Sequence, residues 1–247
     1  MRYFIQLSYD GTDYHGWQVQ QNARTVQEEV EKALSVITRE KVEVVGAGRT
    51  DTGVHATFYI AHFDSNLLSL NDETTLFKLN CLLPFDIAVQ KIFPVRPDAH
   101  ARFDAAYREY KYHLSRNKDP FTFNYAEKES RRLNLAKMNE AAQILLETRD
   151  FTSFSKLGSD VKTNNCVVTK AFWEETGNQL VFTIRADRFL RNMVRAIVGT
   201  LLEVGLEKMT IEEFKSVIEK KDRSSAGVSV AAKGLFLVGI GYPPSTM

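Results

Sequence analysis

The sequence contains only two cysteines, and their placement does not suggest a metal site. Cys81 and Cys166 lie far apart, and the five histidines are scattered along the chain as well. Metal-binding sites need clustered Cys, His or carboxylate ligands at short spacing, so no metal site is expected. The two cysteines are expected to stay reduced, as is usual in a cytoplasmic protein.

Long apolar runs and an excess of one charge are also missing. No stretch approaches the roughly 18 apolar residues of a transmembrane helix, so no membrane partner is expected. The first residues follow a strand pattern and do not fit a signal peptide. The formal net charge is only +1, so a nucleic-acid-binding surface would have to be local. With 247 residues, 44% of them hydrophobic, the chain has enough apolar material for one large domain or two smaller ones.

Hydrophobic spacing predicts the same order of elements twice along the chain. Thr25 and Glu28 form a capping-box pattern at the start of the first helix, and Pro94 and Pro97 mark the change from the first set to the second. The predicted strands cover residues 3–9, 42–45, 57–63, 87–93, 103–114, 167–173, 180–184 and 235–240, and the predicted helices follow Thr25 and cover residues 72–82, 134–147, 187–204 and 210–220.

Both sets have the order β-α-β-β-α-β, with one extra helix in the second, which is the order of the ferredoxin-like unit. We therefore predict an α+β protein of two ferredoxin-like (βαββαβ) halves, residues 1–98 and 99–247. Their strands would form a mixed, mainly antiparallel sheet with helices on one side and a central active-site cleft. The first half would carry the loop of Asp51, and the second the strand of Tyr110 and an arginine-rich helix.

The loop at residues 46–55 is the strongest candidate for chemistry. It places Arg49 and Asp51 among three glycines, between two predicted strands. Glycine lets a backbone turn sharply or approach a ligand closely, and loops on a rigid sheet often carry catalytic groups. A tight turn in which Asp51 caps backbone amides is the main structural alternative. The pattern lacks the residues of a phosphate-binding loop, and an aspartic protease would need a second such aspartate.

Two further groups of residues suggest contact with RNA. Arg188, Arg191 and Arg195 recur at steps of three and four, so a helix would place them in one stripe that binds phosphates or is merely solvated. Basic and aromatic residues also alternate over residues 102–113. Such a mixture suits unstacked RNA bases, and packing within a strand is the alternative.

The polar segment 155–165 is predicted to be a mobile loop. Its Lys156 and Lys162 would touch phosphate, or the segment would be a solvated linker. Together with the glycine-framed Asp51, these groups favour an RNA-modifying enzyme over a passive RNA-binding protein.

Read together, several segments in one order resemble the tRNA pseudouridine synthases of the TruA type. The match runs almost the full length of the chain, and one difference is Thr52, where that family usually has alanine. Arg191 and Asn192 also vary in the family. The matching segments are residues 9–11, 16–18, 25–27, 48–51, 53–56, 82–84, 86–89, 100–103, 108–112, 193–195, 197–199 and 234–237.

The resemblance implies a reaction and a set of partners. A uridine in tRNA would lose its N1–C1′ bond, the uracil would rotate, and C5 would join C1′. The family acts at positions 38, 39 and 40 of the anticodon stem-loop as a homodimer, and no cofactor is implied. The competing possibility is a non-catalytic RNA-binding protein on the same scaffold.

The resemblance also implies roles for four residues. Asp51 would be the catalytic carboxylate, acting as nucleophile or base, and Arg195 would pair with it. Tyr110 would stack on the uracil, with its hydroxyl available for proton transfer. Arg49 would occupy the space left by the flipped nucleotide, since a base must leave the helical stack before this chemistry.

Overall fold

The computed structural model describes residues 1–156, 158 and 162–246. Internal contacts divide the chain into two compact units. The first comprises Met1–Tyr107 and the C-terminal segment that begins at Phe236, and the second comprises Arg108–Leu235. The predicted boundary between residues 98 and 99 falls inside the first unit, and most of the last predicted strand also belongs to that unit.

The described residues form nine strands and five α-helices, together with a few short 3-10 turns. The strands are β1 (Arg2–Tyr9), β2 (Val45–Gly46), β3 (His55–Asp64), β4 (Ile87–Pro94), β5 (Tyr107–Ser115), β6 (Glu127–Lys128), β7 (Val168–Thr176), β8 (Gln179–Ala186) and β9 (Leu235–Gly241). The helices are α1 (Val26–Thr38), α2 (Glu73–Leu82), α3 (Leu135–Glu147), α4 (Met193–Gly205) and α5 (Ile211–Lys220).

The first unit has the strand order β4-β1-β3-β2, and all these neighbours are antiparallel. Strand β9 runs parallel to the beginning of β3, where Phe236 is opposite His55. The central strand β1 is buried on both faces, since Phe4 and its neighbours Tyr3 and Ile5 are all inaccessible to solvent. This arrangement confirms the predicted ferredoxin-like βαββαβ order for the N-terminal half.

In the second unit, β8 lies between β5 and β7 and is antiparallel to both, while β6 is parallel to the end of β5. Helix α3 packs against β7 and α4, and α5 packs against α3 and α4. The predicted mixed, mainly antiparallel α+β class with one extra helix is therefore confirmed. The two-residue strand β6 was not predicted.

Helix caps explain why most helix positions were predictable. The Asp72 carboxylate accepts from the Thr75 N–H, and Thr210 and Glu213 form a complete capping box at the start of α5. The capping box predicted at Thr25 and Glu28 is wrong. Helix α1 does begin after Thr25, but the Thr25 hydroxyl is buried and has no hydrogen-bond partner among the described residues.

No α-helix in the described part of the chain is long and apolar enough to cross a membrane. Both cysteines are free thiols, Cys81 exposed and Cys166 buried. Burial raises the pKa of the Cys166 thiol to about 12.

A buried histidine in the first unit predicts acid sensitivity. His62 is 4% exposed, and its Nδ1 accepts from the Ala101 N–H at 3.1 Å. Burial, with smaller effects from His100 and Arg2, lowers the pKa of His62 to about 4. Below pH 6.5 His62 is therefore protonated in the unfolded chain but stays neutral in the folded chain. The free energy of unfolding consequently falls as the pH is lowered from about 6.5 to about 4.

We expect His62→Gln to remove this part of the pH dependence. Between pH 7 and pH 4, the free energy of unfolding of the wild type should fall by about 3 kcal/mol more than that of the variant. The measurement is urea unfolding at several pH values, with His15→Gln as the control because His15 is exposed. Parallel pH profiles for the wild type and His62→Gln would contradict the assignment.

Candidate active site

The loop at residues 47–54 joins β2 to β3 and is anchored at both ends. At its beginning, the Ala47 N–H donates to the Ile60 carbonyl at 2.9 Å. At its end, the Val54 N–H donates to the backbone carbonyl of Asp51 at 3.1 Å and closes a tight turn. Gly53 occupies this turn with φ of 76°, a left-handed conformation that favours glycine.

Three aromatic residues support this loop from the side of β1 and β3. The rings of Trp17 and Tyr59 stack with centroids 4.1 Å apart, and Tyr9 meets the Tyr59 ring edge-on. The Tyr59 hydroxyl donates to the Gly48 carbonyl, and the Tyr9 hydroxyl lies 2.9 Å from the Thr50 hydroxyl. All three rings are almost fully buried, so they fix the loop on the side away from solvent.

Two glycines let the segment after β1 pack directly on the loop backbone. A Cβ atom at Gly16 would come closer than 3.0 Å to the Thr50 carbonyl oxygen, and one at Gly11 equally close to the Val54 carbonyl. Gly16 also has φ of 84°. The Gly53 N–H donates to the Tyr14 carbonyl at 3.3 Å, which joins the two segments further. The backbone around Asp51 is therefore held in part by close packing against the segment that follows β1.

Within this fixed loop, the side chains of Arg49 and Asp51 are placed differently. Arg49 is exposed, and Asp51 is half-buried. The predicted loop between two strands is confirmed as a location, although the strand before it is shorter than predicted and covers only Val45–Gly46. A half-buried carboxylate on a rigid loop is accessible to a substrate and keeps its direction, which suits a catalytic group.

In the second unit, β5 separates the predicted aromatic residues into two environments. Tyr110 is half-buried, and its ring meets the ring of Phe189 edge-on at 5.1 Å. Tyr112 is fully buried, and its hydroxyl donates to the Ala231 carbonyl at 2.9 Å. Burial raises the pKa of Tyr112. Of these two tyrosines, the half-buried Tyr110 is thus the one open to a ligand, and Tyr112 belongs to the core.

The predicted stripe of three arginines on one helix is wrong. Helix α4 begins at Met193, so Arg188 and Arg191 lie in the irregular segment before it and only Arg195 lies in its first turn. The physical cause is local. The Asp187 carboxylate accepts from the backbone N–H of Arg188 at 2.7 Å, and the backbone of Asn192 is left-handed with φ of 65°.

The remaining predicted contacts with RNA lie on exposed residues. Lys156 and Lys162 are both exposed, and the backbone N–H of Lys156 donates to the Arg191 carbonyl at 3.1 Å. The mobile loop predicted at residues 155–165 includes residues 157 and 159–161, which lie outside the described part of the chain.

No group of three or more His, Cys, Asp or Glu side chains among the described residues is arranged to hold a metal ion. Within each unit, several residues that support the candidate functional residues were not predicted as such. Tyr14, Trp17 and Tyr59 support the loop of Asp51, and Val230 receives a hydrogen bond from Arg195 Nε at 2.8 Å. The resemblance of residues 16–18 to the family could have indicated a role for Trp17. No local sequence pattern pointed to Tyr59 or Val230.

Comparison with known proteins gives one consistent result. The family model described as tRNA pseudouridine synthase matches residues 6–104 and 141–243. Asp51 and Arg49 lie in the first matched segment and Arg195 in the second, whereas Tyr110 lies between the two. A protein from Parabacteroides distasonis named tRNA pseudouridine synthase A is 56% identical over 247 residues, covering 98% of this chain and 96% of its own. The Bacillus subtilis protein of the same name is 43% identical over 246 residues, covering 98% and 99%.

Proposed function

Because the chain belongs to the tRNA pseudouridine synthase family, we propose that Asp51 is the carboxylate with which it isomerises uridine to pseudouridine in tRNA. The reaction breaks the N1–C1′ glycosidic bond and joins C5 to C1′. The hydrogen at C5 leaves as a proton, and N1 of the product carries a proton instead, so substrate and product are isomers. An enzyme that performs it has to hold a detached uracil while the ring turns.

The observation that best supports this assignment is the construction of the Asp51 loop. Buried aromatic rings, the tight turn at Gly53 and the close approach of Gly16 fix the backbone on both sides of Asp51. Attack of the carboxylate on C1′, its addition to C6 and removal of the 2′ proton all need a carboxylate at a fixed position. The half-buried Asp51 lies on such a fixed backbone.

Three other residues are assigned to the same reaction. We propose that Tyr110 stacks on the uracil, that Arg195 supplies the positive charge beside the carboxylate, and that Arg49 enters the space left by the flipped nucleotide. The exposure of Arg49 and the half-buried ring of Tyr110 support these roles. Arg188, Arg191, Lys156 and Lys162 are proposed as phosphate contacts, since all four side chains are at least partly exposed.

We propose uridines 38, 39 and 40 of the anticodon stem-loop as the substrate positions, a homodimer as the working form, and the cytoplasm as its location. Sedimentation velocity tests the assembly. A species of twice the chain mass of 28.1 kDa is expected, and a monomer at working concentration would contradict the proposed dimer.

Release of the C5 hydrogen tests the function directly. Transfer RNA labelled with tritium at C5 of its uridines is incubated with the purified protein, and tritium in the water is measured. We expect release that is linear in enzyme concentration at first. Tight binding of tRNA without any release would instead indicate an RNA-binding protein.

Tyr110→Phe is expected to separate the functions of the ring and the hydroxyl. The phenyl ring would still pack edge-on against Phe189, so tRNA binding should remain within about twofold of the wild type. Loss of a group that transfers a proton should lower tritium release by about 10²-fold. Tyr125→Phe is the matched control, because Tyr125 is 41% exposed and has no proposed role. Full activity of Tyr110→Phe would leave stacking as the contribution of Tyr110.

A further inference from the structure

In the second unit, an irregular segment at residues 227–231 holds the side chain of Arg195. Arg195 Nε donates to the Val230 carbonyl at 2.8 Å, and the Val230 N–H donates back to the Arg195 carbonyl at 3.2 Å. Nε lies at the base of the planar guanidinium. A hydrogen bond at this nitrogen therefore sets the plane of the group and the direction in which its terminal nitrogens point.

The 227–231 segment approaches α4 closely because two glycines face each other. A Cβ atom on Gly199 would come closer than 3.0 Å to the Val228 carbonyl oxygen, and one on Gly227 would lie 3.0 Å from the backbone of Gly199. The Gly227 N–H also donates to the hydroxyl of the buried Thr200 at 2.9 Å. These contacts fix the near end of the segment against the helix.

Ser229 fixes the part of the segment next to Val230. Its hydroxyl oxygen accepts from Arg223 Nη2 at 2.8 Å and from Asn192 Nδ2 at 2.6 Å. Arg223 Nη1 donates to the Gly227 carbonyl at 3.1 Å as well, so one guanidinium spans the segment. Asn192 is the left-handed residue just before α4. The same hydroxyl thus joins the start of α4 to the segment that holds Arg195.

We propose that Ser229, together with Arg223, is a positioning residue for the reaction. These residues hold the Val230 carbonyl where it directs the Arg195 guanidinium, and they act on the reaction only through Arg195. The inference rests on the proposed function, which assigns that guanidinium to the positive charge beside the Asp51 carboxylate. It explains why a polar cluster is built around a short segment that has no helix or strand structure of its own.

A double-mutant cycle tests this role. Ser229→Ala should lower kcat for tritium release by about tenfold and change KM by less than about twofold, because a misdirected cation affects the reacting state more than tRNA binding. In an Arg195→Lys background, which keeps the charge but has no Nε–H, the same change should cost less than about twofold. Ser225→Ala is the control, since Ser225 lies just before the segment and its hydroxyl is 3.5 Å from Asp222.

Hydrogen exchange at Arg195 Nε, followed by NMR in the full-length protein, is a second readout that needs no activity. Exchange should be about tenfold faster in Ser229→Ala than in the wild type and unchanged in Ser225→Ala. Equal costs of Ser229→Ala in both backgrounds, or unchanged exchange in Ser229→Ala, would overturn the inference. Absence of tritium release by the wild type would instead contradict the proposed function, and the exchange rates would still decide whether Ser229 positions Arg195.

Discussion

Asp51→Asn should lower the rate of tritium release from C5-labelled tRNA by about 10²–10⁴-fold, the range expected for losing an essential base or nucleophile. The amide has nearly the same shape as the carboxylate, and contacts of Tyr9, Tyr59 and Gly16 with neighbouring loop residues hold the backbone beside it. The variant is therefore expected to fold and to bind tRNA.

Asp98→Asn is the matched control for this prediction. The Asp98 side chain is 77% exposed and pairs only loosely with Arg96 at 3.5 Å, so its neutralisation should leave turnover and stability unchanged. Circular dichroism and a tRNA-binding titration would show whether each variant is folded and competent to bind. Turnover by a folded Asp51→Asn protein at close to the wild-type rate would remove Asp51 from the mechanism.

Gly16→Ala should damage the same site from a position without chemistry of its own. Alanine at φ of 84° is strained, and its Cβ would come closer than 3.0 Å to the Thr50 carbonyl. The strain and the overlap together should cost about 2–5 kcal/mol, so the midpoint of urea unfolding should fall clearly. Because the overlap displaces the residue next to Asp51, turnover of the folded fraction should also fall by about tenfold or more.

Gly48→Ala provides a control within the loop itself. A Cβ atom at Gly48 would have no neighbouring atom within 4 Å among the described residues, so its unfolding free energy should change by less than about 0.5 kcal/mol. If Gly16→Ala were as stable as Gly48→Ala, the close packing of the segment after β1 on the loop would not be what holds Asp51.

Helices and strands were predictable where local signals agree with one another. Helices α2 and α5 begin within a residue of their predicted starts because Asp72 and Thr210 cap them. The helix predicted over residues 187–204 is wrong in its first turn and a half. Its apolar spacing continues before Met193, but the Asp187 carboxylate and the left-handed Asn192 offer the backbone a competing arrangement. Helical periodicity alone does not detect such competition.

Among the candidate functional residues, too, only the locally encoded features were predictable. The location of Asp51 follows from a local pattern, since glycines around one aspartate between two predicted strands indicate a tight functional loop. Its support by Tyr59 and Tyr9 depends on residues that the fold brings to the loop from separate strands, and no spacing rule contains that information. Similarly, Val230 contacts Arg195 and Ser229 contacts Asn192, each from more than 30 residues away along the chain.

Nucleotide-resolved mapping of pseudouridine tests the central claim most directly. An unmodified tRNA is incubated with wild-type protein or with Asp51→Asn, and each uridine is then examined for conversion. We expect pseudouridine among positions 38, 39 and 40 with the wild type, and uridine alone with the variant bound to the same tRNA. Conversion by Asp51→Asn, or a fully unconverted tRNA after incubation with the wild type, would contradict the proposed role of Asp51.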